Sequence, residues 1–236
     1  MRNSRSFRNW RFASVTILIG VMVFQSARAD NGKPQAGTGK YSELTATWWA
    51  WIFAQPTVDV GSTNTNPVLD STGQFASSGQ KRGIGPANKY FFLAGAFGGD
   101  VTRTATVPAG KTLLFPIYNF QVDNAFDPPT SNTVPQLRAI AKANIDAVNI
   151  ADLYALLDGE PVAFFRTTSP TFSYTLPAEN SLYDYFGLSG PQFEGTVHPV
   201  VSDGYWAVIA PLPPGEYVLE FGSVPYLNVT YYLTVE

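Results

Sequence analysis

The sequence predicts a mainly β fold: an antiparallel β-sandwich, jelly-roll-like or Ig-like, with two α-helices packed on it. Three observations lead there. Val229, Tyr231, Leu233 and Val235 alternate with Thr230, Tyr232 and Thr234, the period of a strand with one buried face. Apolar runs of strand length recur between Gly, Pro, Asn and Asp turn signals from residue 90 onward. Helical spacing of apolar residues is confined to two windows, 41–54 and 133–148.

Taken in order, residues 1–29 read as an export signal. Arg2, Arg5, Arg8 and Arg11 form a basic start, Phe12 to Phe24 an apolar stretch of 13 residues, and Ala27, Arg28 and Ala29 a small-x-small cleavage site. A spanning helix needs about 20 apolar residues, so the expectation is cleavage after Ala29 and a secreted or periplasmic protein. Residues 30–40, rich in Gly, Lys, Asn and Gln, read as a flexible tail, and 41–236 as a single domain. Cleavage removes five arginines and no acidic residue, leaving 10 basic against 18 acidic side chains, net −8. A surface of that sign repels phosphate backbones and anionic membranes, so neither nucleic acid nor membrane is expected as partner.

Tyr41 to Ala54 gives the first helix, ending before Pro56. Leu44, Trp48, Trp51 and Ile52 share one face, and Trp49 and Phe53 form a second apolar ridge. So wide an arc is either a helix sunk in a groove or an aromatic platform for a sugar or partner. Residues 57–89 form a long loop with turn signals at Asn66-Pro67, Asp70 to Gly73 and Gly83 to Pro86, one of two places for a site. Phe91 to Phe97 and Val101 to Val107 read as a hairpin about Gly98, Gly99 and Asp100, and Leu113 to Phe120 as the next strand. Arg103 falls on the face of Val101, Ala105 and Val107; it either reaches water at a strand end or pairs with a carboxylate in a cleft.

Gln121 to Ser131 is a polar loop in which Asp123, Asn124 and Asp127 offer three oxygen donors, a weak calcium signal whose spacing fits no EF-hand. Thr133 caps the second helix, with Pro135 in its first turn and Leu137, Ile140, Ala141, Ile145 and Val148 along one face to residue 148. Asp152 to Leu157 and Glu160 to Phe165 form a hairpin about Asp158-Gly159, a type I′ signature. Thr167 to Gly195 is irregular and aromatic, the second place for a site. Strands at Tyr205 to Ile209, Glu216 to Phe221 and Val229 to Val235 close the chain.

Several stretches carry a likeness: Trp48, Trp49 and Trp51 followed by Asn66, Pro67, Asp70 and Gly73; Phe92 to Gly99; Thr102 to Pro116; Asp158-Gly159; and Ser202 to Gly222. Together they cover most of 41–236 and resemble a family of exported, uncharacterised bacterial and archaeal β-sandwich-like proteins. The resemblance implies export and a sandwich-like domain and brings no catalytic residues. It also implies cysteines near positions 76 and 105; this chain has Ala76 and Ala105 there, which implies two positions close in space without the covalent tie.

Chemistry is narrowed by what the composition lacks. With no cysteine there is no thiol nucleophile and no thiolate metal site, and a single histidine, His198, cannot build a two- or three-His zinc centre. No Gly-x-Ser-x-Gly elbow or phosphate-binding glycine loop occurs. Carboxylate-based glycan hydrolysis survives as the alternative, with Asp70, Asp123, Asp127, Asp184, Glu194 and Asp203 as candidates. The leading expectation is a non-catalytic binding or structural module whose partner is a glycan or an envelope or matrix component. Its candidate binding residues are Trp49, Arg103, Asp123, Asn124, Asp127, Tyr183, Tyr185, Asp203, Tyr205 and Trp206. No cofactor is expected beyond the weak calcium option, and of the adjacent Tyr205 and Trp206 at most one is expected to be exposed.

Overall fold

The computed structural model describes residues 39–77, 89–125 and 131–236. The expected signal segment, most of the 30–40 tail, the turn at 83–86 and Asp127 lie outside them. The chain begins with helix α1 (Ser42–Phe53), a short hairpin of β1 (Asp59–Val60) and β2 (Thr63–Asn64), and strands β3 (Tyr90–Phe92), β4 (Gly99–Val107) and β5 (Thr112–Asp123). Helix α2 (Val134–Asp146) follows, then β6 (Leu153–Leu157), β7 (Glu160–Pro161), β8 (Phe164–Thr168) and β9 (Phe172–Thr175). A four-residue helix, α3 (Leu182–Tyr185), precedes the long strands β10 (Thr196–Ile209), β11 (Gly215–Ser223) and β12 (Leu227–Val235).

The fold is mainly β, in two five-stranded sheets. One runs β3-β5-β10-β8, with β9 also on β10; the other runs β4-β12-β11-β6-β7. Pairing is antiparallel except at β3–β5 and β4–β12, which are parallel. This corrects the expected hairpin of Phe91–Phe97 with Val101–Val107. Gly98 (φ +152°) and Gly99 (φ +77°) do break the chain there, but the turn carries β4 into the other sheet, beside the last strand. Alternation fixes which side chains face inward and leaves the partner strand open. Thus Arg103, Ala105 and Val107 are buried as expected, and Thr102, Thr104 and Thr106 are exposed.

The second hairpin forms about Asp158 (φ +51°) and Gly159 (φ +81°), as the type I′ signature predicts. It lasts only two residue pairs, because after Pro161 the chain crosses to β10 as β8. The irregular stretch after 167 contains β9 and α3, neither of which its proline-rich sequence announces.

Register assigns the faces. Trp206 and Phe165 are cross-strand partners, and their rings meet Trp48 (5.4 Å) and Tyr41 (5.2 Å) of the α1 segment. The next pair along, Ala207 with Phe164 and Phe115, faces the other way, where Phe115 lies 4.7 Å from Phe221 of the second sheet. Helix α1 therefore meets one face of the first sheet, and Phe221 of the second sheet meets the other. Its arc was wide because it is buried nearly all round, from Leu44 to Phe53. Helix α2 starts at the expected Thr133 cap, which the structure shows as a capping box with Gln136, and buries Leu137, Ala141 and Ile145, Leu137 and Ala141 against Val122 and Val201. Ile140, expected on that face, is exposed.

Candidate functional site

Strand β3 is three residues long and pairs only with Thr112 to Leu114. Beyond Leu114, β5 has no strand on that side among the described residues, and a cavity of about 580 Å³ opens along this free edge. Its walls come from six segments: Pro116 to Gln121 of β5; Trp48, Trp49 and Phe53 of α1; Val68 in the loop after β2; Gly95 to Gly98 between β3 and β4; Leu182, Tyr183 and Phe186 around α3; and Tyr226 with Leu227 at the β11–β12 turn. The size is that of sites which enclose a small organic molecule. The mouth is aromatic: Phe97, Phe186 and Tyr226 are 58%, 53% and 74% exposed, and the Phe97 and Phe186 rings touch edge to face at 5.2 Å.

Two buried polar groups shape this cavity. Arg103, 1% exposed, donates from Nε to Asp70 O (2.7 Å) and from Nη1 to Ala94 O, Gly95 O and the Tyr231 hydroxyl (2.9, 2.9 and 3.0 Å). It neither reaches water nor pairs with a carboxylate, which corrects both expectations for it. A guanidinium has five donors and suits a nest of carbonyls that loops leave unpaired. By holding Gly95 and the Asp70 turn, Arg103 fixes two of the segments that form the wall. Asp123 holds the wall residue Tyr183 from behind: its Oδ2 accepts from Tyr174 (2.7 Å) and Tyr183 (2.9 Å), its Oδ1 from the Ala125 amide (2.7 Å). Burial first and the Asp123 charge second push both phenols well above the usual tyrosine range, so they stay protonated donors at any physiological pH. Tyr174 also stacks on Phe53 of α1 at 4.1 Å.

The wall also carries unused hydrogen-bonding capacity. Among the described residues, Trp49 Nε1, Asn119 Nδ2 and Gln121 Oε1 are buried without a partner, and all three residues line the cavity. Buried polar atoms are nearly always paired, so three along one wall mark it out. Gly204 lets Asn119 sit there: a Cβ on Gly204 would lie 2.6 Å from that of Asn119. Neither a family model, a curated protein nor a solved structure matches the chain. The reading of this site therefore rests on its geometry.

The sequence candidates are dispersed relative to that geometry. Trp49 and Tyr183 line the cavity, while Tyr205 and Trp206 are both buried in the first sheet, so neither is the exposed member of that pair. Tyr185 is 54% exposed and lines a second, polar recess of about 350 Å³ with Asp59, Ser62, Asn64 and Ser71. Asp203, 2% exposed, is bound by Arg166, which also reaches Asp146 of α2 (2.7 Å), so this carboxylate fastens helix to sheet. Asn124 points away from Asp123 in function: its amide exchanges hydrogen bonds with Asn132 across the loop ends (2.9 and 3.1 Å). Among the described residues no three His, Asp or Glu side chains converge.

The hydrolase candidates are likewise engaged or remote from the cavity. Asp70 accepts from Thr63, Thr72, Gly73 and Phe75; Asp184 caps its own helix at Ser181; and no carboxylate lines the 580 Å³ cavity among the described residues. Sequence reasoning missed Asn119, Gln121, Phe97, Phe186 and Tyr226. The usable signal was Phe97 and Phe186, each a large aromatic directly beside a glycine.

Proposed function

We propose that this protein is an exported, non-catalytic binding module, built as a β-sandwich, that encloses the apolar part of a small molecule in the cavity along the free edge of β5. One observation carries the reading: a cavity of about 580 Å³ with aromatic and aliphatic walls and buried, unpaired polar atoms at Trp49, Asn119 and Gln121. Apolar walls favour an apolar ligand body, and the few polar atoms fix its orientation. The lining supports binding rather than catalysis, since its titratable side chains among the described residues are tyrosines. The contact of Phe115 with Phe221 between the two sheets supports the sandwich, and the basic-apolar-small pattern of residues 1–29 supports export.

The test uses the neutral apolar dye N-phenyl-1-naphthylamine and the variant Ala96→Trp, which puts an indole into the cavity from its wall. The dye should bind saturably at one site and quench Trp48 and Trp49 emission. Ala96→Trp, with unchanged circular dichroism, should lose at least tenfold in affinity. Equal affinity in the variant, or no binding to the native protein, overturns the proposal.

A further inference from the structure

The polar recess beside the cavity points to what the rest of the ligand is. Tyr185 lines the recess and Phe186 lines the cavity, and these consecutive rings meet at 5.4 Å. The two spaces are thus neighbours across one aromatic ridge at the end of α3. We infer that they hold one molecule: an amphiphile with a neutral, polyhydroxylated head such as a pyranose in the recess and an apolar tail in the cavity. The inference rests on the cavity reading above and adds the head group to it.

The recess has the chemistry such a head needs. Tyr185 offers an exposed ring on which the C–H face of a sugar stacks, and its hydroxyl has no partner among the described residues. Asp59 is exposed; Asn64 Nδ2 holds its Oδ1 at 2.9 Å, leaving Oδ2 to accept from a hydroxyl. Ser62 adds a hydroxyl that can donate and accept, and Ser71 Oγ, which donates to Ser62 O at 3.3 Å, can accept. The frame is rigid before any ligand arrives: Thr63 is bonded to buried Asp70, and Asn64 Oδ1 accepts from the Asn66 amide at 2.9 Å. Such preorganisation lowers the ordering cost of binding. The Asp59 charge, within a chain that is acidic overall, disfavours phosphate or sulfate heads and selects neutral polyols.

The experiment titrates the purified protein with n-hexyl, n-heptyl and n-octyl β-glucoside below their micellar concentrations, read by isothermal titration calorimetry, with N-phenyl-1-naphthylamine binding measured in parallel as the report on the cavity. Free glucose and n-octanol serve as half-ligands. Each added methylene should tighten binding about fourfold, the partition of one buried CH2. Octyl glucoside should bind more tightly than either half-ligand. Tyr185→Ala should weaken octyl glucoside about tenfold and leave the affinity for the dye within twofold. Asp59→Asn, an exposed change, should weaken the glucoside in the same selective way. If the dye binds normally while Tyr185→Ala leaves glucoside affinity unchanged, or if octanol equals octyl glucoside, the head-group inference falls and the cavity reading stands. If glucose equals octyl glucoside, the linkage of the two spaces falls. If the dye does not bind, both fall.

Discussion

At the scale of single residues, buried polar groups hold the loops in place. Arg103 satisfies the carbonyls of Asp70, Ala94 and Gly95 at once, and no other side chain reaches all three. Arg103→Met should therefore leave the Asp70 and Gly95 carbonyls buried and unpaired, and Ala94 O with only the Tyr231 hydroxyl, with a loss of about 3 kcal/mol or more in urea unfolding. Arg103→Lys should recover little of it, because an ammonium lacks the planar fork. Asp70 makes a pH-dependent contribution. Burial raises its pKa, but bonds from the Thr63 hydroxyl, the Thr72 and Phe75 amides and the Thr72 hydroxyl outweigh that and leave it below the ordinary aspartate value. The stabilisation is complete above the unfolded value of about 3.9 and is lost as pH falls through the lower folded value. Asp70→Asn should be less stable than the native protein at pH 7 by about 2 kcal/mol. The gap should close as urea midpoints are followed from pH 5 down to pH 2; a gap constant over that range would contradict the assignment.

At the scale of elements, the structure depends on segments that lie where only glycine fits. Gly73 has φ +98°, and a Cβ there would come 2.0 Å from Thr104 O, since the loop after β2 runs directly against β4. The Thr104 amide donates to Thr72 O at 3.0 Å in the same place. Gly73→Ala should cost about 3 kcal/mol and lift the loop. Hydrogen exchange should then show the Thr104 amide losing protection while amides of the β11–β12 ladder keep theirs. Gly159 is milder: at φ +81° with open space around it, Gly159→Ala should cost only about 1 kcal/mol. This contrast between two left-handed glycines separates close approach from backbone strain.

At the scale of the whole molecule, one short strand decides where the cavity lies. Because β3 stops at Phe92, the remaining edge of β5 is free, and α1, α3 and the β11–β12 turn close around it without filling it. A ligand seated there binds only the folded chain. At one hundred times its dissociation constant it should add about 2.7 kcal/mol to stability, and calorimetry should show the melting temperature rising with ligand concentration. Ala96→Trp, which fills the same space from within, should make the melting temperature independent of that ligand.

Local and periodic features were legible from residue order alone. Alternation at Val229 to Val235 and at Arg103 to Val107 named the buried faces, Thr133 and Pro135 placed the start of α2, and Asp158-Gly159 named its turn. These follow from interactions within a few residues, where side-chain period and backbone sterics suffice. Long-range packing was needed to pair β4 in parallel with β12, 120 or more residues away, and to enclose Arg103 in backbone carbonyls. It also brought Trp49, Asn119, Gln121, Tyr183 and Tyr226 to one wall, from four separate segments of chain. Periodicity carries no information on which strand edge remains unpaired, and the candidate site lies along such an edge.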